Sequence, residues 1–280
     1  MKNILVGLFS IGVLTSIVAQ EAADKKVQAG LVFGAGINMI KPGTKMITTK
    51  DAGVGSDLTV GMNLNFSFTP TIGLNTGLEF DFETIKYKPG STSLFYFYND
   101  TEIYRKAEYL NGDGVYNPTG TVYALTERKM KPIYLTIPTM MIFRTKFIGY
   151  FRYFGKFGLR NSFLLTSKNY DNGYLFLDPT KTNVQNDGMI PTKRDLSLYK
   201  GSVGLSGGAE WNFSGSTCLV AEIGYYYGFV DVNRGKSITG DKEKNMTNFS
   251  SFNLDNFNPT GFSALPFKQN QILFKLSILF

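Results

Sequence analysis

The residues in this chain able to do chemistry are charged ones set at even spacings. Glu79, Asp81 and Glu83 stand two apart, and Arg152, Lys156 and Arg160 stand four apart. Arg144, Glu210, Glu222 and Lys275 hold comparable places in other segments. Paired carboxylates invite a glycosidase reading, one group acting as acid and the other as nucleophile or base. On an extended strand, however, Glu79 and Glu83 lie about 13 Å apart and cannot converge on one bond. The sequence has no His, which removes the commonest general base and the favoured transition-metal ligand. Its single Cys, Cys218, permits neither an intramolecular disulfide nor a thiolate zinc site. Asn111-Gly112-Asp113-Gly114 lacks the flanking acids of a calcium loop and reads as a turn. No catalytic residue, cofactor or metal is expected, so the ten charges need another explanation.

That explanation begins with the elements that carry them. Apolar residues recur with period two, the signature of strands. Leu58, Val60, Met62, Leu64, Phe66 and Phe68 alternate with Thr59, Gly61, Asn63, Asn65 and Ser67. The same pattern runs through Ile72–Glu83, Ser202–Phe213, Thr217–Phe229 and Ile272–Phe280, and more weakly through 27–38, 131–144 and 150–166. This predicts eight strands. Their connections alternate between short ones (69–71, 145–149, 214–216) and long ones (roughly 39–56, 84–130, 167–197 and 230–267). Alternating short periplasmic turns and long extracellular loops are what a transmembrane barrel shows. The predicted fold is therefore all-β: an eight-stranded antiparallel up-and-down transmembrane barrel.

Alternation alone does not say which face points inward. Three features place lipid outside. The polar face is built of Gly, Ser, Asn and charges, which suits a narrow lumen. The apolar face carries aromatics near both ends: Phe66, Phe68, Trp211, Phe213 and Phe280 at one, Phe80, Phe82, Tyr225, Tyr227 and Phe229 at the other. The sequence ends on an alternating strand whose last residue, Phe280, suits recognition by the barrel-assembly machinery. The composition agrees, with 30 Gly in 280 residues for a curved wall, and 24 Phe and 16 Tyr for the girdles. All ten charges then face the lumen, five acids against five bases. Intramembrane charges of this kind suit either a selectivity lining or a structural plug. Both signs together in a bore only wide enough for side chains favour the plug.

Residues 1–19 begin with Met1-Lys2-Asn3, continue through an apolar stretch from Ile4 to Val18, and precede Ala19-Gln20-Glu21-Ala22. This reads as a signal peptide, too short for a comfortable helical span, leaving 20–280 as the barrel domain. Cell outer membrane is the expected location. The +7 charge, from 29 basic and 22 acidic residues, is scattered rather than gathered in runs, so nucleic acid is not an expected partner. A slightly basic exterior suits contact with outer-membrane lipid and anionic lipopolysaccharide. Within the second long connection, Leu94-Phe95-Tyr96-Phe97-Tyr98 is expected to pair with Thr121–Thr126 as a hairpin. The run Phe95, Tyr96, Phe97 and Tyr98, if exposed, marks a contact surface for a partner or ligand.

Three segments resemble the PorT-like family of outer-membrane β-barrel proteins of the Bacteroidetes. They are Tyr134-Leu135-Thr136-Ile137-Pro138, Gly207-Gly208-Ala209-Glu210-Trp211 leading into Ala221–Gly228, and the ending Leu276-Ser277-Ile278-Leu279-Phe280. Thr139 stands where that family usually has leucine. The resemblance covers roughly the last 150 residues and implies a barrel type rather than an activity; some members are linked to type IX secretion. It carries over no functional residue. The sequence thus points to a non-enzymatic, plugged barrel acting as a structural or interaction component of the envelope, within a protein complex such as that of type IX secretion. A surface binding protein using its long loops, or a narrow pore, are the alternatives.

Overall fold

The computed structural model describes residues 25–99, 102–104, 121–176, 180–182, 184–189, 196–214, 217–233, 246–253 and 258–280. The expected signal peptide and the 111–114 turn lie outside them. Eight long strands form the wall: β1 (Val27–Pro42), β2 (Gly55–Ser67), β3 (Ile72–Glu83), β4 (Thr121–Arg144), β5 (Phe151–Leu175), β6 (Tyr199–Ser214), β7 (Thr217–Gly228) and β8 (Phe267–Leu279). Each pairs antiparallel with its chain neighbour, and β1 pairs with β8 from Gly30↔Leu279 to Pro42↔Phe267. The sheet closes in a ring of 8 strands. Closure leaves no unpaired edge, which is what a sheet in lipid requires.

The alternation becomes an inside and an outside. On β3, Ile72, Leu78, Phe80 and Phe82 are exposed while Glu79, Asp81 and Glu83 are buried. On β7, Ile223, Tyr225 and Tyr227 are exposed while Val220, Glu222 and Tyr226 are buried. Trp211, Phe68 and Phe280 are exposed at the short-turn end, and Phe229 is exposed at the other. Lumen glycines make room for the bulkiest inward rings: a Cβ on Gly204 would come within 2.2 Å of the Tyr226 ring. The short-turn end is the periplasmic one.

Strands β4 and β5 differ from the sequence expectation. The sequence predicts them over 131–144 and 150–166, yet they run for 24 and 25 residues. About ten residues cross a membrane as a strand, so both continue outward, by roughly 50 Å along the chain at 3.4 Å per residue. Their outer halves carry a head. Ile85–Pro89 and Leu94–Asn99 pair with outer β4, Val184–Met189 pairs with outer β5, and Ile47–Thr48 adds to Ile85–Pro89. Leu94↔Leu125 through Tyr98↔Thr121 is the pairing expected for the aromatic run.

The expected exposure of that run is overturned. Phe95 is 9 % exposed, Tyr96 0 % and Phe97 4 %. Leu94 and Tyr96 join a cluster with Ile85, Tyr87, Tyr123, Leu125, Met130 and Phe267 over the mouth of the barrel. Phe95 and Phe97 turn the other way, against Phe249, Val122 and Ala124. A strand covered on both faces reads as a continuous apolar run. The physical reason is thus packing within the head rather than a free surface. The side chain of Tyr98 lies outside the described set.

Candidate functional site: a charged lumen

The ten predicted lumen charges all lie on inward positions of the wall, none more than 6 % exposed. They form tiers along the bore. Nearest the periplasm, Glu210 on β6 accepts from Nε of Arg144 on β4 at 3.1 Å and from Nε of Arg152, its register partner on β5. Beside this tier an apolar cluster of Ile142, Phe154, Cys218, Val220 and Leu279 fills the same end of the lumen. The next tier joins Lys156 Nζ on β5 to Glu222 on β7 at 2.6 Å and to the side-chain Oδ1 of Asn75 on β3 at 3.2 Å.

The middle tier is the densest. Lys275 on β8 donates to both Glu79 oxygens on β3 at 2.7 and 2.9 Å. Arg160 on β5 reaches Glu79 at 3.0 Å and Asp81 at 2.8 Å. Thr59 donates to Asp81 Oδ1 at 2.7 Å, and Thr136 donates to Oδ2. The Arg160 guanidinium also stacks 4.9 Å from the Tyr226 ring. Above this, Glu83 on β3 accepts from Lys200 on β6 and from Gln269 and Gln271 on β8, at 2.8 Å for each glutamine. Gln271 also donates to Asp57 at 2.7 Å.

Several of these bonds join strands that are far apart in the ring. Glu79 and Glu83 on β3 meet partners on β8, three places away round the ring, and Lys200 on β6 is as distant on the other side. Side chains therefore meet across the bore instead of lining an open channel. A charge buried with its partner and further hydrogen bonds satisfies the condition under which ion pairs are tolerated away from water. Ring strands two and three apart are cross-linked as a result.

Sequence reasoning missed two charges of this network, Lys200 and Asp57, and a cluster above it. Lys200 lies one inward step beyond Ser202, and Asp57 one inward step before Thr59. The connections 39–56 and 167–197 leave both on their strands at inward parity, so the signal is present in the alternation. A third group lies higher, in the head: Arg128 binds Asp171 through Nε at 2.9 Å and a terminal nitrogen at 2.7 Å, while Tyr96 donates to the same carboxylate at 2.8 Å. Burial, and then the Asp171 charge, push the Tyr96 phenol well above its ordinary range.

A closed antiparallel ring with lipid-facing aromatics and a polar interior suits one protein class. A family model described as an outer membrane protein beta-barrel domain matches residues 18–234. The chain belongs to that family. Its location is accordingly the cell outer membrane. No curated protein matches this outer membrane beta-barrel chain in sequence. Among solved structures it is similar to Ail, the attachment invasion locus protein of Yersinia pestis, solved with the heparin analogue sucrose octasulfate, at 9 % identity and TM-score 0.32 over 91 % of this chain and 100 % of that one. Neisserial surface protein A matches at 8 % identity and TM-score 0.32, covering 91 % and 100 %. A major outer membrane protein of Thermus thermophilus matches at 13 % and 0.33, covering 90 % and 99 %. Scores this low say nothing of function; the barrel rests on the family match and the closed ring.

Proposed function

We propose that this protein is a non-conducting, non-enzymatic barrel that anchors an extracellular head, serving as a structural or interaction component of the envelope. The carrying observation is the tiered ion-pair network, which fills the bore between the periplasmic apolar cluster and the aromatic cluster at the mouth. A diffusive path needs free volume and mobile counter-charges; here each lumen carboxylate of the predicted set is held by a cation from a non-adjacent or facing strand. The charges serve as the plug of the two roles open to them. Within this reading the chain is of the PorT-like type, exported by its signal peptide and delivered through its terminal strand ending at Phe280. Membership of a type IX secretion or surface-assembly complex follows from that resemblance alone. Planar bilayers loaded with the purified protein should show no steady conductance, and co-purification from native membranes should return a stable envelope complex. Reproducible large openings would sink the plug. A lone barrel that binds an added ligand through its loops would replace the complex with the surface-receptor reading.

A further inference from the structure

Just beyond the lipid-facing band, the outer wall sets lysines directly opposite one another. The last apolar outward residues are in register across three strands, Leu58 with Phe82 and Phe82 with Ile133. One outward step higher, Lys131 on β4 faces Lys168 on β5; two steps higher, Lys129 on β4 faces Lys86 on Ile85–Pro89. Lys131 and Lys168 are exposed, and Lys86 and Lys129 are half-buried. Like charges opposite one another in an antiparallel pair destabilise it, and here two such pairs adjoin. Glu127 shares the outward face of β4 one step above Lys129, but among the described residues it forms no ion pair with any of the four.

Height decides what could neutralise them. One and two outward steps are about 7 and 14 Å along a strand, less along the membrane normal because barrel strands tilt by roughly 40°. That puts Lys131 and Lys168 in the headgroup layer, on the order of 5–7 Å thick on each side of the hydrocarbon, and Lys86 and Lys129 just above it, where their long stems let the ammonium groups reach down to it. Basic clusters at that depth attract anionic headgroups. Tyr170 completes the patch as an interfacial aromatic, its ring 4.7 Å from Lys131 Nζ. We infer that Lys86, Lys129, Lys131 and Lys168 form a binding site on the outer wall for the phosphate-bearing headgroup of an outer-leaflet lipid of the lipopolysaccharide class. The repulsion between facing lysines then becomes shared attraction to one polyanion. The site is on the lipid side of the wall and does not depend on the plug.

The test uses the full chain in nonionic detergent and native mass spectrometry with three probes: bis-phosphorylated lipid A, the same lipid stripped of both phosphates, and inorganic phosphate. The phosphorylated lipid should bind at least tenfold more tightly than the stripped one and should resist displacement by millimolar phosphate. Lys129→Gln, Lys131→Gln and Lys168→Gln combined should weaken it at least tenfold, with heat-shifted gel migration of the folded barrel unchanged. Equal binding of both lipids, displacement by inorganic phosphate, or unchanged affinity in the triple variant would each overturn the site. The two-lipid comparison on the wild-type chain decides the matter even where the variant fails to fold.

Discussion

The two ends of β4 and β5 face opposite demands. In the membrane half, β4 turns Ile133, Leu135 and Phe143 outward and holds Thr136 and Arg144 inside. In the head, the same strand turns Lys129 and Lys131 outward and buries Met130, Tyr123 and Leu125. On β5, Phe157, Leu159 and Phe163 face out in the membrane half, with Arg160 and Ser162 within, and Lys168 faces out above them. The polarity of a single strand inverts where lipid gives way to water. Apolar surface goes toward lipid in one half and toward a packed core in the other. The lower interior is therefore free to be polar, provided its groups pair. The upper interior holds the protein's aromatic core.

That contrast can be broken from either side, and the largest effect is expected in the lumen. Arg160→Leu leaves Asp81 without its cation, Glu79 keeping Lys275, and orphaning a buried charge costs about 3–5 kcal/mol; urea unfolding in lipid vesicles should show the loss across the whole barrel. Phe249→Ala removes a ring packed against Phe95, Phe97 and Phe262, at 5.9, 5.4 and 5.5 Å between centroids. A loss of similar order, about 3–5 kcal/mol, should stay in the head, seen as faster proteolysis there with unchanged heat-shifted migration of the barrel. On the lipid face, Leu78→Arg should cost about 2–4 kcal/mol, whereas Ile133→Arg, at the outer edge of the band, should cost about 0–1; equal costs would erase the boundary. Milder than the lumen and ring losses is Tyr96→Phe, which removes one bond to the Asp171 carboxylate. A loss of about 1.5–3 kcal/mol is expected, read as earlier thermal loss of the near-ultraviolet signal of the head.

The sequence disclosed the membrane half because each strand there has one face toward lipid and one toward a polar lumen. Period-two alternation then exposes strands, faces and the ten lumen charges together. The head obeys other rules. Leu94–Phe97 does not alternate, because Tyr96 and Phe95 belong to clusters on opposite faces. Outer β4 and β5 lose the period at bulges, where Thr126 and Leu165 are skipped in the register. Their ion pair, Arg128 with Asp171, joins residues 43 apart in sequence, and no local spacing announces it. The run of aromatics was visible; that it was covered on both sides was not, because the covering segment around Phe249 is remote in the chain.

The inversion along β4 is open to one direct measurement. In a Cys218→Ser background, single labels at Lys129→Cys, Lys131→Cys, Ile133→Cys, Leu135→Cys and Thr136→Cys are read for quenching by brominated lipid chains. Quenching at Ile133 and Leu135, with none at Thr136, Lys131 or Lys129, is the predicted profile. Quenching that reaches Lys129, or that appears at the inward Thr136, would contradict it.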